Sequence, residues 1–219
     1  MHLLIDLDGT LTDPRIGIIT SVQHALRELG EEVPPAVALH WCIGPPLKDA
    51  FVALLGPDNL ALVARAVRLF RERFGTVGLF ENEVYPEVPD TLSRLLESGH
   101  TLHLATSKPQ VFAERIMGHF NLATPFTSLN GSELDGTRSD KSDLIAHILA
   151  SHAIAPETAI MIGDRKHDMI GAVNNRLLCI GALWGYGSQE ELTAAGAAVC
   201  LECPSDLPSA LEKLCSVAL

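Results

Sequence analysis

Six apolar, β-rich runs recur along the chain: His2–Asp8, Thr101–Ser107, Pro125–Gly131, Thr158–Asp164, Leu177–Trp184 and, more weakly patterned, Ala197–Cys203. They are nearly continuous in apolar residues instead of alternating with polar ones, the pattern of strands buried on both faces of a sheet. Helical patterns lie between the later runs, over Val88–Gly99, Pro109–Phe120, Asp140–His152 and Ser188–Ala197. Such alternation dictates βα units and a parallel sheet, so the chain is α/β. One stretch interrupts it. Ile16–Gly30, Pro46–Gly56 and Asp58–Gly75 read as three helices, each closed by a glycine, with no strand among them. An inserted helical module is therefore expected at residues 15–81, with residues 1–14 and 82–219 forming the α/β core.

The chain is long enough, at 219 residues and 47% hydrophobic, for one large domain or a domain with a smaller insert. A formal charge of −11 argues against a nucleic-acid polymer, whose binding rests on clustered Lys and Arg. It leaves open a small anionic substrate held by a few local cations or a metal. Cysteines at 42, 179, 200, 203 and 215 form no even framework, and reduced thiols in a cytoplasmic protein are expected. Cys200 and Cys203 have the spacing of half a zinc site, but no second pair accompanies them. The first strand run begins at His2, leaving no room for a signal peptide, and no apolar stretch approaches the roughly 18 residues of a membrane span. The expectation is a soluble cytoplasmic protein, without a membrane partner, as a monomer or small homo-oligomer.

The first run drives straight into two carboxylates, Asp6 and Asp8. Residues two apart on a strand share a face, and Gly9 permits a turn just beyond. A single Asp beside a Gly is ordinarily a turn or cap residue. A pair at the C-terminal end of a buried strand is different, because open α/β sheets bind ligands there and adjacent carboxylates must share a proton or a cation. Other strand ends supply partners. Thr106 and Ser107 offer a hydroxyl and backbone N–H groups where the next helix is expected to begin, a seat for phosphate. Asp164 and Asp168, one turn apart if a helix starts after Gly163, suit a hard cation. Lys141 opens a helix, where a cation is electrostatically misplaced unless it is needed elsewhere. Together these residues make a set for phosphoryl transfer: magnesium on Asp6, the Asp8 neighbourhood and Asp164, phosphate gripped by Thr106 and Lys141, one carboxylate to attack phosphorus and one to move the proton. The nine histidines show no metal-ligand spacing beside a carboxylate.

This order of motifs resembles the haloacid dehalogenase superfamily over the whole chain, through Asp6-Leu7-Asp8-Gly9-Thr10, Thr106, Lys141 and the Gly163–Asp168 stretch with Asp164 and Asp168. The resemblance implies a Rossmann-like, doubly wound parallel sheet core with an inserted four-helix cap. It implies Asp6 as the nucleophile that forms an aspartyl-phosphate, and Asp8 as general acid and then base. Mg2+ would sit on the Asp6 carboxylate, the Asp8 backbone carbonyl and Asp164, with Asp168 supporting the metal or Lys141, and Gly9 and Ser107 would give backbone donors to the phosphoryl group. Within the superfamily the chain is similar to phosphoglycolate-phosphatase-like members, and more narrowly to bacterial 5'-nucleotidases, through Asp6–Ile18, Ile43–Leu47, Ala105–Pro109, Ser132–Lys141, Met161–Ala172 and Trp184–Ser188. The implied substrates are nucleoside 5'-monophosphates, with phosphoglycolate or another small phosphorylated metabolite as the alternative. Gly44 and Lys48, in the turn and helix start within the insert, are candidates for reading the leaving group. A phosphomutase, a phosphonate hydrolase using Lys48 and a phospho-accepting signalling module are further alternatives. Dehalogenation fits poorly, since it has no use for Asp8.

Overall fold

A computed structural model describes residues 1–217, with side chains as far as Leu214, so the Cys215 thiol lies outside the described residues. Its strands are β1 (His2–Ile5), β2 (Thr12–Asp13), β3 (Glu83–Val84), β4 (Thr101–Pro109), β5 (Phe126–Ser132), β6 (Ala159–Gly163), β7 (Leu178–Ala182) and β8 (Val199–Leu201). Its α-helices are α1 (Arg15–Leu29), α2 (Leu47–Leu55), α3 (Leu60–Arg73), α4 (Val88–Glu97), α5 (Gln110–His119), α6 (Lys141–Ser151), α7 (Lys166–Asn174), α8 (Gln189–Ala194) and α9 (Leu207–Val217). The chain folds as two compact units, Met1–Thr12 with Val84 onward, and Asp13–Glu83.

In the first unit six strands form one sheet in the order β5-β4-β1-β6-β7-β8, and every pairing is parallel. β2 and β3 form a separate two-stranded sheet. The expected runs are all present as strands, and the reason is burial. Leu3, Leu4 and Ile5 of β1 and all five residues of β6 are buried. On one face Leu144, Ile145 and Ile148 of α6, Met169 and Ala172 of α7 and Leu192 of α8 pack against Leu4, Met161 and Cys179. β1 lies at the centre, with β4 on one side and β6 on the other. The strand order therefore reverses at β1, and its C-terminal end, which runs into Asp6, faces the crevice where such sheets bind ligands.

The second unit holds α1, a 3-10 helix at Ala36–Cys42, α2 and α3. Gly30 (φ 76°) and Gly56 (φ 89°) close α1 and α2 as expected. Gly75 does not close α3, because the backbone continues through a π-helical turn at Phe74–Gly78. That turn carries Gly78 against Gly17 of α1, where a Cβ on Gly17 would stand 2.0 Å from the Gly78 carbonyl oxygen. A half-buried fork braces it: Arg73 donates to both carboxylate oxygens of Glu81 at 2.8 and 2.9 Å and to Ser21 Oγ at 3.1 Å. No helix among the described residues is long and apolar enough to cross a membrane.

One polar residue is sealed inside the sheet. His103 of β4 is 1% exposed, with Nε2 at 3.1 Å from His2 Nδ1, Nδ1 at 2.8 Å from Ser128 Oγ and the His152 ring 4.9 Å away. Burial, then the neighbouring His152 and His2, lower its pKa to about 4. A histidine depressed in the folded state stabilises fully above its unfolded pKa, and that stability is lost as pH falls from about 6.5 through 4. Urea denaturation should show a loss on the order of 2 kcal/mol between pH 7 and pH 4.5 from this residue. His103→Gln, which cannot titrate, should flatten that slope relative to the wild type.

Candidate active site

The loop after β1 is built so that its side chains converge. Asp6 N–H still bonds to the Ile162 carbonyl at 3.0 Å, so Asp6 remains zipped to β6. The Leu7 carbonyl then accepts from the N–H groups of Leu11 and Thr12 at 2.9 and 3.0 Å, winding the chain back on itself, and Gly9 donates to the Thr12 carbonyl at 2.7 Å. Gly9 has φ 83°, and a Cβ there would lie 2.1 Å from Asp164 Oδ2. Both the backbone conformation and the neighbour demand glycine.

Three carboxylates meet at this point. Asp6, Asp164 and Asp168 each offer an oxygen within 4.8 Å of the others, and all three are buried. Lys141 lies against them, with Nζ at 2.8 Å from Asp6 Oδ1, 2.5 Å from Asp168 Oδ1 and 2.8 Å from the Ala105 carbonyl oxygen. Its Nζ donates to the Ala105 carbonyl oxygen and forms ion pairs with the two carboxylates. Lys141 thus places a buried positive charge beside the acids. Its place at the start of α6 is tolerated because Asp140 caps that helix, accepting from Ser142 N at 2.7 Å.

Asp164 and Asp168 come together differently from the expected single helical turn. α7 begins only at Lys166, so Asp164 sits in the loop before it. Asp168 occupies the third helical position, and its Oδ2 accepts from Arg165 N at 3.1 Å. The cap bond turns Asp168 back toward β6, and a Cβ on Gly163 would lie 2.3 Å from its Cγ. Asp164 is held from the other side, where Oδ2 accepts from Tyr186 N at 2.8 Å. The Trp184–Ser188 stretch therefore wraps this carboxylate: a Cβ on Gly185 would lie 2.3 Å from Asp164 Cβ, and Trp184 Nε1 donates to the Thr10 carbonyl at 2.9 Å.

Thr106 is buried and Ser107 half-buried at the end of β4, next to the end of β1. They do not stand at a helix start, because β4 runs on to Pro109 and α5 begins at Gln110. Thr106 Oγ1 accepts from Lys108 N at 3.2 Å instead. Asp8 Oδ2 pairs with Lys108 Nζ at 2.8 Å. The sequence signal for Lys108 is a lysine two places after Thr106, at the end of the strand. Gly44 (φ 103°) and exposed Lys48 belong to the second unit.

The electrostatics ask for a cation. Burial, with Asp168 and Asp6 adding to it, raises the Asp164 pKa well above its ordinary value. Burial likewise raises Asp168, against the pull of Lys141, and raises Asp8, against Lys108. Burial disfavours the Lys141 charge, but Asp168 and Asp6 outweigh it and hold the ammonium protonated. Asp164 Oδ1 is buried and has no hydrogen-bond partner. An orphaned carboxylate oxygen among three acids is the donor set of a hard divalent ion such as Mg2+. Cys200 and Cys203 make no comparable group: Cys203 Sγ bonds to Asp206 Oδ2 at 3.1 Å, and the acidic trio is the one metal-capable cluster among the described residues.

The fold and site define a class. The haloacid dehalogenase-like hydrolase family matches residues 3–182, and the chain belongs to it. Within that family it is a phosphatase-type member. A 5'-nucleotidase of Pseudomonas aeruginosa is 50% identical over 193 residues, 88% of this chain and 87% of that protein. The tyrosine-protein kinase PtkA of Mycobacterium tuberculosis is 35% identical over 84% of this chain and 62% of its own length. A phosphoglycolate phosphatase of Vibrio vulnificus is 26% identical over 88% of each chain. The crystal structure of a predicted phosphatase from Clostridium acetobutylicum superposes with TM-score 0.92 at 40% identity, covering 97% of this chain and 98% of that one.

Removing one acid should separate metal binding from folding. Mg2+ should raise the Tm of the wild type, as any ligand of the folded state does. Asp164→Asn should melt no lower than the metal-free wild type, since it relieves a buried charge, and its Tm should not respond to Mg2+ in differential scanning calorimetry.

Proposed function

We propose that the protein is a Mg2+-dependent phosphomonoester hydrolase that works through an aspartyl-phosphate on Asp6, acting on nucleoside 5'-monophosphates. The observation that carries this reading is the buried trio Asp6, Asp164 and Asp168 around Lys141, with Asp164 Oδ1 lacking a partner. Asp6, Asp164 and the Asp8 backbone carbonyl would hold the ion, with Asp168 behind them, and its charge would offset the carboxylates and the phosphoryl oxygens. Lys141 fixes the nucleophile by its Oδ1. The Asp6 carboxylate attacks phosphorus as the bond to the leaving oxygen breaks, and Asp8 gives that oxygen a proton. Asp8, now ionised, takes a proton from the water that attacks the aspartyl-phosphate, releasing phosphate and restoring both residues. Thr106 and the N–H groups of Gly9 and Ser107 serve the phosphoryl oxygens.

The substrate class rests on the 5'-nucleotidase at 50% identity. The phosphoglycolate phosphatase at 26% supports the alternative of a smaller ester. We propose the helical unit, Asp13–Glu83, as the cap, with Gly44 and Lys48 reading the leaving group. Specificity lies in such loops more than in the shared core.

Phosphate release from p-nitrophenyl phosphate should require Mg2+ and vanish with EDTA, and Asp6→Asn should reduce turnover by about a thousandfold or more. Nucleoside 5'-monophosphates should then give higher kcat/KM than phosphoglycolate in the same assay; the reverse order would move the substrate class. Asp8→Asn should lower kcat by roughly a hundredfold or more while substrate still binds, as inhibition by unreacted ester would show.

A further inference from the structure

The Lys108–Asp8 pair is the one strong interaction in the site that the scheme above leaves without a task. Both side chains are largely sealed, at 5% and 14% exposure, with Nζ 2.8 Å from Oδ2. The lysine backbone is fixed as well. Its N–H bonds to Thr106 Oγ1, and β5 passes so close that a Cβ on Gly131 would lie 2.6 Å from the Lys108 carbonyl oxygen. A buried ammonium on a fixed stem holds its partner in one orientation. The other oxygen of Asp8, Oδ1, is buried and has no hydrogen-bond partner. The two oxygens are thus inequivalent, one clamped and one uncommitted.

We infer that Lys108 is the positioning residue for Asp8: by holding Oδ2 as an acceptor it makes Oδ1 the oxygen that carries the proton to the leaving group and receives it back from water. The assignment rests on the phosphatase reading. In the first step the Asp6–phosphorus bond forms, the bond from phosphorus to the leaving oxygen breaks, and the proton passes from Asp8 Oδ1 to that oxygen, while Oδ2 keeps its bond from Lys108 throughout. A residue that only bound phosphate or filled space would affect every ester alike. A residue that orients the acid matters in proportion to how badly the leaving group needs a proton.

The test compares kcat/KM, which reports the first phosphoryl transfer, for p-nitrophenyl phosphate, whose leaving group needs no proton, and for a primary-alkyl phosphate that the wild type hydrolyses. Lys108→Met should lose on the order of a hundredfold on the alkyl ester, the scale of general acid catalysis, and at least tenfold less on the nitrophenyl ester. Equal losses on both, or none on either, would overturn the assignment while leaving the phosphatase reading intact. If Lys108→Met does not fold, the same question is put in the Asp8→Asn background, where both partners of the pair are neutral. There, adding Lys108→Met should cost less than about threefold on the alkyl ester, because no acid is left to orient, and a further drop of tenfold or more would overturn the assignment. A wild type that hydrolyses neither ester would sink the phosphatase reading, and this inference with it.

Discussion

The site depends on one ammonium group. Lys141 ties together three segments that reach the crevice separately: Asp6 beyond β1, the Ala105 carbonyl in β4 and Asp168 in the first turn of α7. Three acids brought this close in a buried place would repel and take up protons. The lysine is the protein's own partial answer, and removing one partner of such a buried set costs about 3–5 kcal/mol because the rest is left uncompensated. Its contacts do not include Asp164, and the residual negative charge is what a bound cation could offset.

Around this charged knot the chain economises on volume. Gly9, Gly163 and Gly185 each stand where a Cβ would collide with an aspartate side chain at 2.1 to 2.3 Å. Gly171 does the same for the lysine, where a Cβ would lie 2.7 Å from Lys141 Cβ. The acids are therefore packed directly against main chain, and their geometry is set by backbone as much as by hydrogen bonds. A carboxylate held this way cannot swing out to water, so its position is set before any ligand arrives.

Much of this architecture was legible in the residues. Continuous apolar runs revealed the six strands because a parallel sheet buried on both faces leaves few places for polar residues. Asp6 and Asp164 just beyond strand ends, with Lys141 and Asp168 at helix starts, were readable as one set because such sheets bring strand ends and helix starts to one edge. What was not legible depended on contacts between distant segments. The helix after β6 starts two residues later than its pattern suggests, because Arg165 and Asp168 cap it, so the two acids meet across a loop and not along a helix. Gly75 is an ordinary stop signal locally, and only the approach of Gly78 to Gly17 explains why the backbone continues through a π turn. The role of Trp184–Ser188 as the wrapping around Asp164 was hidden for the same reason, as was the partner of Lys108.

The bond from Trp184 Nε1 to the Thr10 carbonyl joins residues 174 positions apart. A ribosome therefore delivers Asp6 and Asp8 long before the segment that clasps Asp164 and latches the loop after β1. Until that segment emerges, the early acids wait in a half-built sheet without the strand, the lysine or the clasp that would gather them. Assembly of this centre is deferred until β7 and the turn beyond it have been made, and a product terminated short of them carries Asp6 and Asp8 without the segment that clasps Asp164.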